Sequence, residues 1–252
     1  MLHTNPFTLL TEFLPPVVMQ VYVILMILAV AIGTCFDLYH KKSAKFFALR
    51  RKKATSTAQR QLGAGEIASL AMRTVGMEVA TSGEFCKWNR RFSHLLMSYG
   101  FVFYVITTAL MVFAYPKAGH TPTVVTTLWN IGAVMVLAGG SWFFFFLRVD
   151  VAFEGHSPFR LVRADLFIGT LLVSVAFGLI WHFAQAIHSG AGVTLVLFAI
   201  YIAFTTLLFA TVPWSKFAHM FYKPMAAFQK RIEAANGSSD LPRPADRRSM
   251  VR

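Results

Sequence analysis

Long apolar runs and short charged connections alternate along this chain. Stretches free of Asp, Glu, Lys and Arg extend from Phe13 to Phe36, Phe92 to Pro116, Ala118 to Leu147 and Leu166 to Ser215. A helix crosses the hydrocarbon core of a bilayer in about 20 residues, so the last run, about 50 residues long, is too long for one crossing. The polar, glycine-rich break His188-Ser189-Gly190-Ala191-Gly192 divides it in two. The pattern therefore predicts spanning helices at about 15–36, 93–115, 124–147, 166–187 and 193–214. The fold class is an all-α membrane protein, a five-transmembrane-helix bundle. Uncharged runs of this length do not suit the core of a water-soluble protein. Short loops place neighbouring helices antiparallel.

Charge sets the orientation. Before the first span there is no Lys or Arg; the following connections carry 12, 1, 3 and 0, and the tail carries eight. This alternation is what the positive-inside rule produces for an odd number of spans, with the N-terminus out and the C-terminus cytoplasmic. The expected location is a bacterial inner (cytoplasmic) membrane. No basic stretch precedes the first span, so no cleaved signal peptide is expected. A net charge of +13 would point to nucleic acid in a soluble protein. Here topology and contact with anionic lipid account for most of it, and no nucleic-acid partner is expected. The basic cluster Arg50-Arg51-Lys52-Lys53 also suits an acidic cytoplasmic partner.

The organisation expected is an outer N-terminus and first span (1–36), a basic cytoplasmic loop (37–92), a four-helix membrane core (93–222) and a basic, partly disordered cytoplasmic tail (223–252). The stretch from Gly65 to Val79 reads as a helix lying amphipathically at the interface. Gly132, Gly139 and Gly140 permit close helix approach, and Trp129, Trp181 and Trp214 fit interfacial belts. The two cysteines, Cys35 and Cys86, form no clustered pattern, so an iron–sulfur centre would have to belong to a partner.

No Asp or Glu falls within the predicted spans, which argues against the carboxylate relay of a pump or transporter. The intramembrane polar groups are His94, His182, tyrosines, Ser and Thr. Neutral imidazole is a good axial ligand for haem iron. His94, after Arg90 and Arg91, and His219, after Lys216, both lie at the cytoplasmic side and form a candidate pair. Straight helices with Arg91 and Lys216 at one depth would offset the two by roughly 9 Å at 1.5 Å rise per residue; snorkelling cations and a kink at Pro213 absorb this. Spacing alone favours two interfacial histidines near the headgroups. Arg90, Arg91, Lys216 and Arg148 are candidates for pairing with haem propionates, or for anchoring at lipid phosphate. His182, with Tyr201 or Ser174 nearby, is a candidate to hydrogen-bond a quinone carbonyl, or to bond between helices.

Two stretches carry a resemblance. Trp214-Ser215-Lys216-Phe217-Ala218-His219, followed by Met220-Phe221-Tyr222-Lys223-Pro224, is similar to the end of the last helix in the nitrate reductase gamma-subunit superfamily of membrane cytochrome b subunits. Arg90-Arg91-Phe92-Ser93-His94-Leu95-Leu96, with Tyr99-Gly100-Phe101, resembles the second helix of related sulfur-metabolism subunits. These include heterodisulfide-reductase-like and quinone-interacting complexes and the adenylylsulfate reductase membrane anchor. The resemblance implies that His94 and His219 ligate one haem b at the cytoplasmic side. The family's second, outer haem uses positions that are Tyr104 and Tyr201 here, which implies its loss. It further implies a non-catalytic electron-transfer subunit, linking the quinone pool to a cytoplasmic iron–sulfur or flavoprotein partner of sulfur metabolism. The alternatives are a haem-free anchor for a soluble reductase and, less favoured, a small-solute transporter.

Overall fold

The computed structural model describes residues 3–239, apart from 84, 86, 118, 149–154, 156, 158–159 and 216–218, and apart from the side chains of 78, 164, 213 and 219. Among the described residues it is helical, without strands. The α-helices are α1 (Pro16–His40), α2 (Ser43–Ser56), α3 (Ala64–Thr74), α4 (Trp88–Ala109), α5 (Thr123–Trp142), α6 (Leu166–Ala186), α7 (Ala191–Ala210) and α8 (His219–Asn236). Wider π-helical turns extend α4 over Leu110–Ala114 and α5 over Phe143–Leu147. Five helices are long and apolar enough to cross a membrane: α1, α4 and α5 with their extensions, α6 and α7.

These five match the apolar runs, with instructive differences at the ends. α1 continues to His40, which brings Asp37 into the helix as a buried residue that the hydropathy boundary at Phe36 left outside. α7 stops at Ala210 rather than near 214. Pro213 lacks a backbone N–H and restricts the residue before it, so the expected kink is instead a helix end followed by one 3₁₀ turn, Val212–Trp214. α6 ends where His188 adopts a positive φ of 54°, and Gly190, at φ 91°, starts α7.

The chain forms two compact units, Met1–Asp37 with Ser82–Ala218, and Leu38–Thr81 with His219–Arg252. In the first unit α4 packs on α5, α5 on α6 and α6 on α7. Glycines set the α4–α5 approach. A Cβ on Gly100 would lie 2.7 Å from both the Gly132 carbonyl oxygen and Met135 Cβ, and one on Gly139 would lie 2.7 Å from the Ser93 carbonyl. Ser93 Oγ donates to the Gly139 carbonyl at 2.7 Å across the same seam. α1 is tied by Tyr22 Oη, 3.0 Å from Thr206 Oγ1, and by Gln20 Nε2 donating to the Val112 carbonyl at 3.2 Å. The rest of α1 exposes Val21, Ile24, Leu28 and Ile32, a surface that suits lipid.

In the second unit α8 packs on α2 and α3. Gln229, Glu233 and Asn236 recur at helical spacing on the buried face of α8. Glu233 takes a bidentate bond from Arg50 (Nε to Oε1 2.6 Å, Nη2 to Oε2 2.8 Å) and a further one from Gln229 at 3.0 Å. Asn236 Nδ2 donates to the Ala54 carbonyl at 3.0 Å, while its own carbonyl receives Gln59 N–H at 2.9 Å. α3 turns its Ile67, Leu70 and Thr74 face inward in this unit. The tail from Asp240 lies outside the described residues.

Candidate functional site

Two places in the first unit concentrate chemistry. The first is built around His94, in the second turn of α4. Ser82 Oγ lies 2.9 Å from His94 Nδ1, Ser98 Oγ lies 3.4 Å from the same nitrogen, and the Phe85 ring sits 5.0 Å from the imidazole. Ser82 is 1% exposed and has a φ of 47°. A serine in this left-handed region carries strain of order 1 kcal/mol or more, held in place by its surroundings. Here that backbone directs the hydroxyl at an imidazole nitrogen. With Nδ1 engaged, a metal ion would have to take Nε2, and a hydrogen bond at the remote nitrogen is the usual support for a metal-ligating histidine. His94 thus fits the requirements of an axial haem ligand.

Its sequence-predicted companions are placed unevenly. Arg90 and Arg91 are half-buried on the first turn of α4. His219 opens α8, but its side chain, like all of Lys216, lies outside the described residues. Arg148 is buried and ion-paired with Asp165, donates to the Arg160 carbonyl at 3.2 Å and stacks 4.4 Å over Phe144. Its charge is therefore answered by a carboxylate of the chain itself. Among the described residues no cluster of three or more His, Cys, Asp or Glu forms a metal site; a haem needs only two ligands from the chain.

The second place is the end of this unit that carries the chain's N-terminus. Asn5 and Pro6 are tied to the helices. Asn5 Nδ2 lies 3.2 Å from the Met111 carbonyl, 3.0 Å from the Tyr115 carbonyl and 3.1 Å from Thr121 Oγ1. Gln185 on α6 donates to the Pro6 carbonyl at 3.1 Å. Between these anchors Phe7 inserts edge-on toward Trp181 (5.4 Å) and Trp129 (6.5 Å). Beneath it His182, 1% exposed, places Nδ1 3.1 Å from Asn130 Oδ1. Asn130 Nδ2 donates to the Thr126 carbonyl at 3.0 Å, which orients the amide so that oxygen faces the ring. A neutral His182 ring donates through one nitrogen and accepts through the other.

Tyr104 and Tyr201 meet in this layer. Tyr104 stacks on Trp129 at 4.9 Å and Tyr201 on Trp181 at 5.9 Å. Both reach the same glycine: a Cβ on Gly178 would lie 2.6 Å from Tyr104 Oη and 3.3 Å from the Tyr201 ring. The two positions that the resemblance equates with outer-haem ligands are thus occupied by packed phenol rings. Ser174 is spoken for by Thr205, with Oγ to Oγ1 at 2.7 Å.

The sequence reading singled out His94, His182, Tyr201 and Ser174 but missed Asn5, Phe7, Ser82, Asn130 and Gln185. The adjacent polar pair Trp129-Asn130 inside an apolar run was the one visible signal. No family model, curated protein or solved structure matches the chain.

Proposed function

We propose that the chain is a membrane anchor and electron-transfer subunit, linking the quinone pool to a cytoplasmic iron–sulfur or flavin oxidoreductase of sulfur metabolism through one haem b on His94 and His219. The observation that carries this reading is the bond between Ser82 and His94, made by a strained, buried serine to the nitrogen that iron does not use. When bound, haem b supplies a one-electron relay whose potential the axial ligands and their hydrogen bonds tune. The chain's own residues do the rest. Ser82 and Phe85 orient the His94 ring, and Arg90 and Arg91 lie close in sequence to counter propionate charge. His182 and Tyr201 are the quinone-side candidates. The second unit is rich in Lys and Arg and offers the partner a docking surface.

A second reading, a haem-free anchor that tethers a soluble reductase, is favoured by one observation. Arg148, a candidate for a propionate, is buried against Asp165. Redox difference spectra of the purified protein separate the two. A low-spin b-type spectrum that disappears in His94→Ala supports the cytochrome; a colourless, folded preparation supports the anchor.

A further inference from the structure

The layer beneath Phe7 gathers polar atoms that have no hydrogen-bond partner in the chain. Among the described residues, Tyr104 Oη, Thr126 Oγ1, Trp181 Nε1, His182 Nε2 and Gln185 Oε1 are each buried without one. Their residues are at most 8% exposed. They come from α4, α5 and α6 and are linked through shared contacts. Trp129 stacks on Tyr104 and lies 5.5 Å from the His182 ring, while Phe7 touches Trp129 and Trp181. The Tyr201 hydroxyl lies beside Tyr104 and the Thr4 carbonyl beside His182. Orphaned polar groups in an apolar interior are costly, and five together would rival the stability of a whole domain. Something that both donates and accepts must satisfy them.

The chemistry of the five groups narrows the occupant. Trp181 Nε1 only donates, whereas Gln185 Oε1 only accepts. An anion would meet the lone pairs, and a cation would meet the indole N–H. An aromatic ligand would compete with the Tyr104–Trp129 stack and with Phe7. We infer that this layer is a hydration site: ordered water held between α4, α5 and α6, beneath a cover formed by Asn5 to Phe7. Buried waters typically make about three hydrogen bonds to such groups. The consequence for His182 is that its Nε2 meets water inside the bundle, beneath the covering Asn5 to Phe7 segment. The assignment does not depend on haem.

Thr126→Val provides the sharpest test, because it removes one hydroxyl at nearly constant shape. If Thr126 Oγ1 binds water, the Tm of the full-length protein in nanodiscs falls by about 2–4 °C. If the layer is dry, removing an orphan polar atom leaves Tm unchanged or raises it, and the proposal fails. X-ray hydroxyl-radical footprinting in ¹⁸O-labelled water reads hydration directly. Scaled for intrinsic reactivity, Tyr104 and Trp181 are expected to be labelled at least tenfold faster than the equally buried Leu171 and Val175. Labelling no faster than those residues, or a preparation carrying one quinone per chain with Trp181 protected, overturns the assignment.

Discussion

Ser82 Oγ stands 2.9 Å from Nδ1 of His94, on a backbone whose φ of 47° a serine does not choose unaided. If that hydroxyl accepts the Nδ1 proton, it makes the imidazole a more electron-rich ligand and favours ferric iron. Ser82→Ala is expected to raise the haem midpoint potential and to weaken haem retention by roughly 10–100-fold. Ser82→Gly removes the same bond but relieves the strain, so it should lose haem similarly while unfolding about 1 kcal/mol harder than the alanine variant. Potentiometric titration and thermal melts read the two effects separately.

Arg50 and Glu233 are unequally exposed, at 41% and 6% of their side chains, which makes their substitutions asymmetric. Arg50→Ala leaves a buried carboxylate without its bidentate partner. Glu233→Ala leaves a guanidinium that water reaches. With the partial exposure discounted, the expected costs are about 2–3 kcal/mol for Arg50→Ala and about 1 kcal/mol for Glu233→Ala. Limited proteolysis within 38–81 measures this, with the faster cleavage in the arginine variant.

Two glycines should behave oppositely. Gly100→Ala drives a Cβ to 2.7 Å from the Gly132 carbonyl, forcing α4 from α5 at a cost of about 1–3 kcal/mol. Gly65, near the start of α3, has nothing within 4 Å of its Cβ position, so Gly65→Ala is expected to stabilise α3 by up to about 1 kcal/mol. Melting curves of the two variants give the signs.

The start of α3 is acid-sensitive. Glu66 is solvent-exposed, and its carboxyl is held below the usual range, first by the Gly63 backbone N–H at 3.2 Å and then by Arg60 at 3.0 Å. A carboxylate with a lowered folded pKa stabilises the fold above its unfolded value, near 4.5, and loses that contribution as pH falls through the folded value. Hydrogen exchange at the Gly63 amide should therefore stay protected at pH 6 and lose protection below about pH 4. Glu66→Gln should show weaker protection at pH 6 and no such acid step.

The spans were legible because uncharged runs of bilayer length have one physical interpretation. Their ends were less so: Pro213 stops α7 four residues early, and buried Asp37 sits inside α1 despite its charge. The partnership of α8 with α2 was hidden because the buried face of α8 carries Gln229, Glu233 and Asn236 rather than an apolar stripe. The tail therefore reads as solvated. His94 and His182 could be named from residue type, but their supporting bonds could not. Ser82 reaches His94 by an unusual backbone angle, and Asn130 reaches His182 across 52 positions of sequence, neither of which periodicity encodes.

The central claim, one haem b gripped by two histidines, is tested most directly by haem stoichiometry in the purified full-length protein. The pyridine haemochrome assay is expected to give one haem per chain. Both His94→Ala and His219→Ala should lose it, and His182→Ala should keep it. A folded wild-type chain without haem, or haem content unchanged in both of the first two variants, would contradict the account.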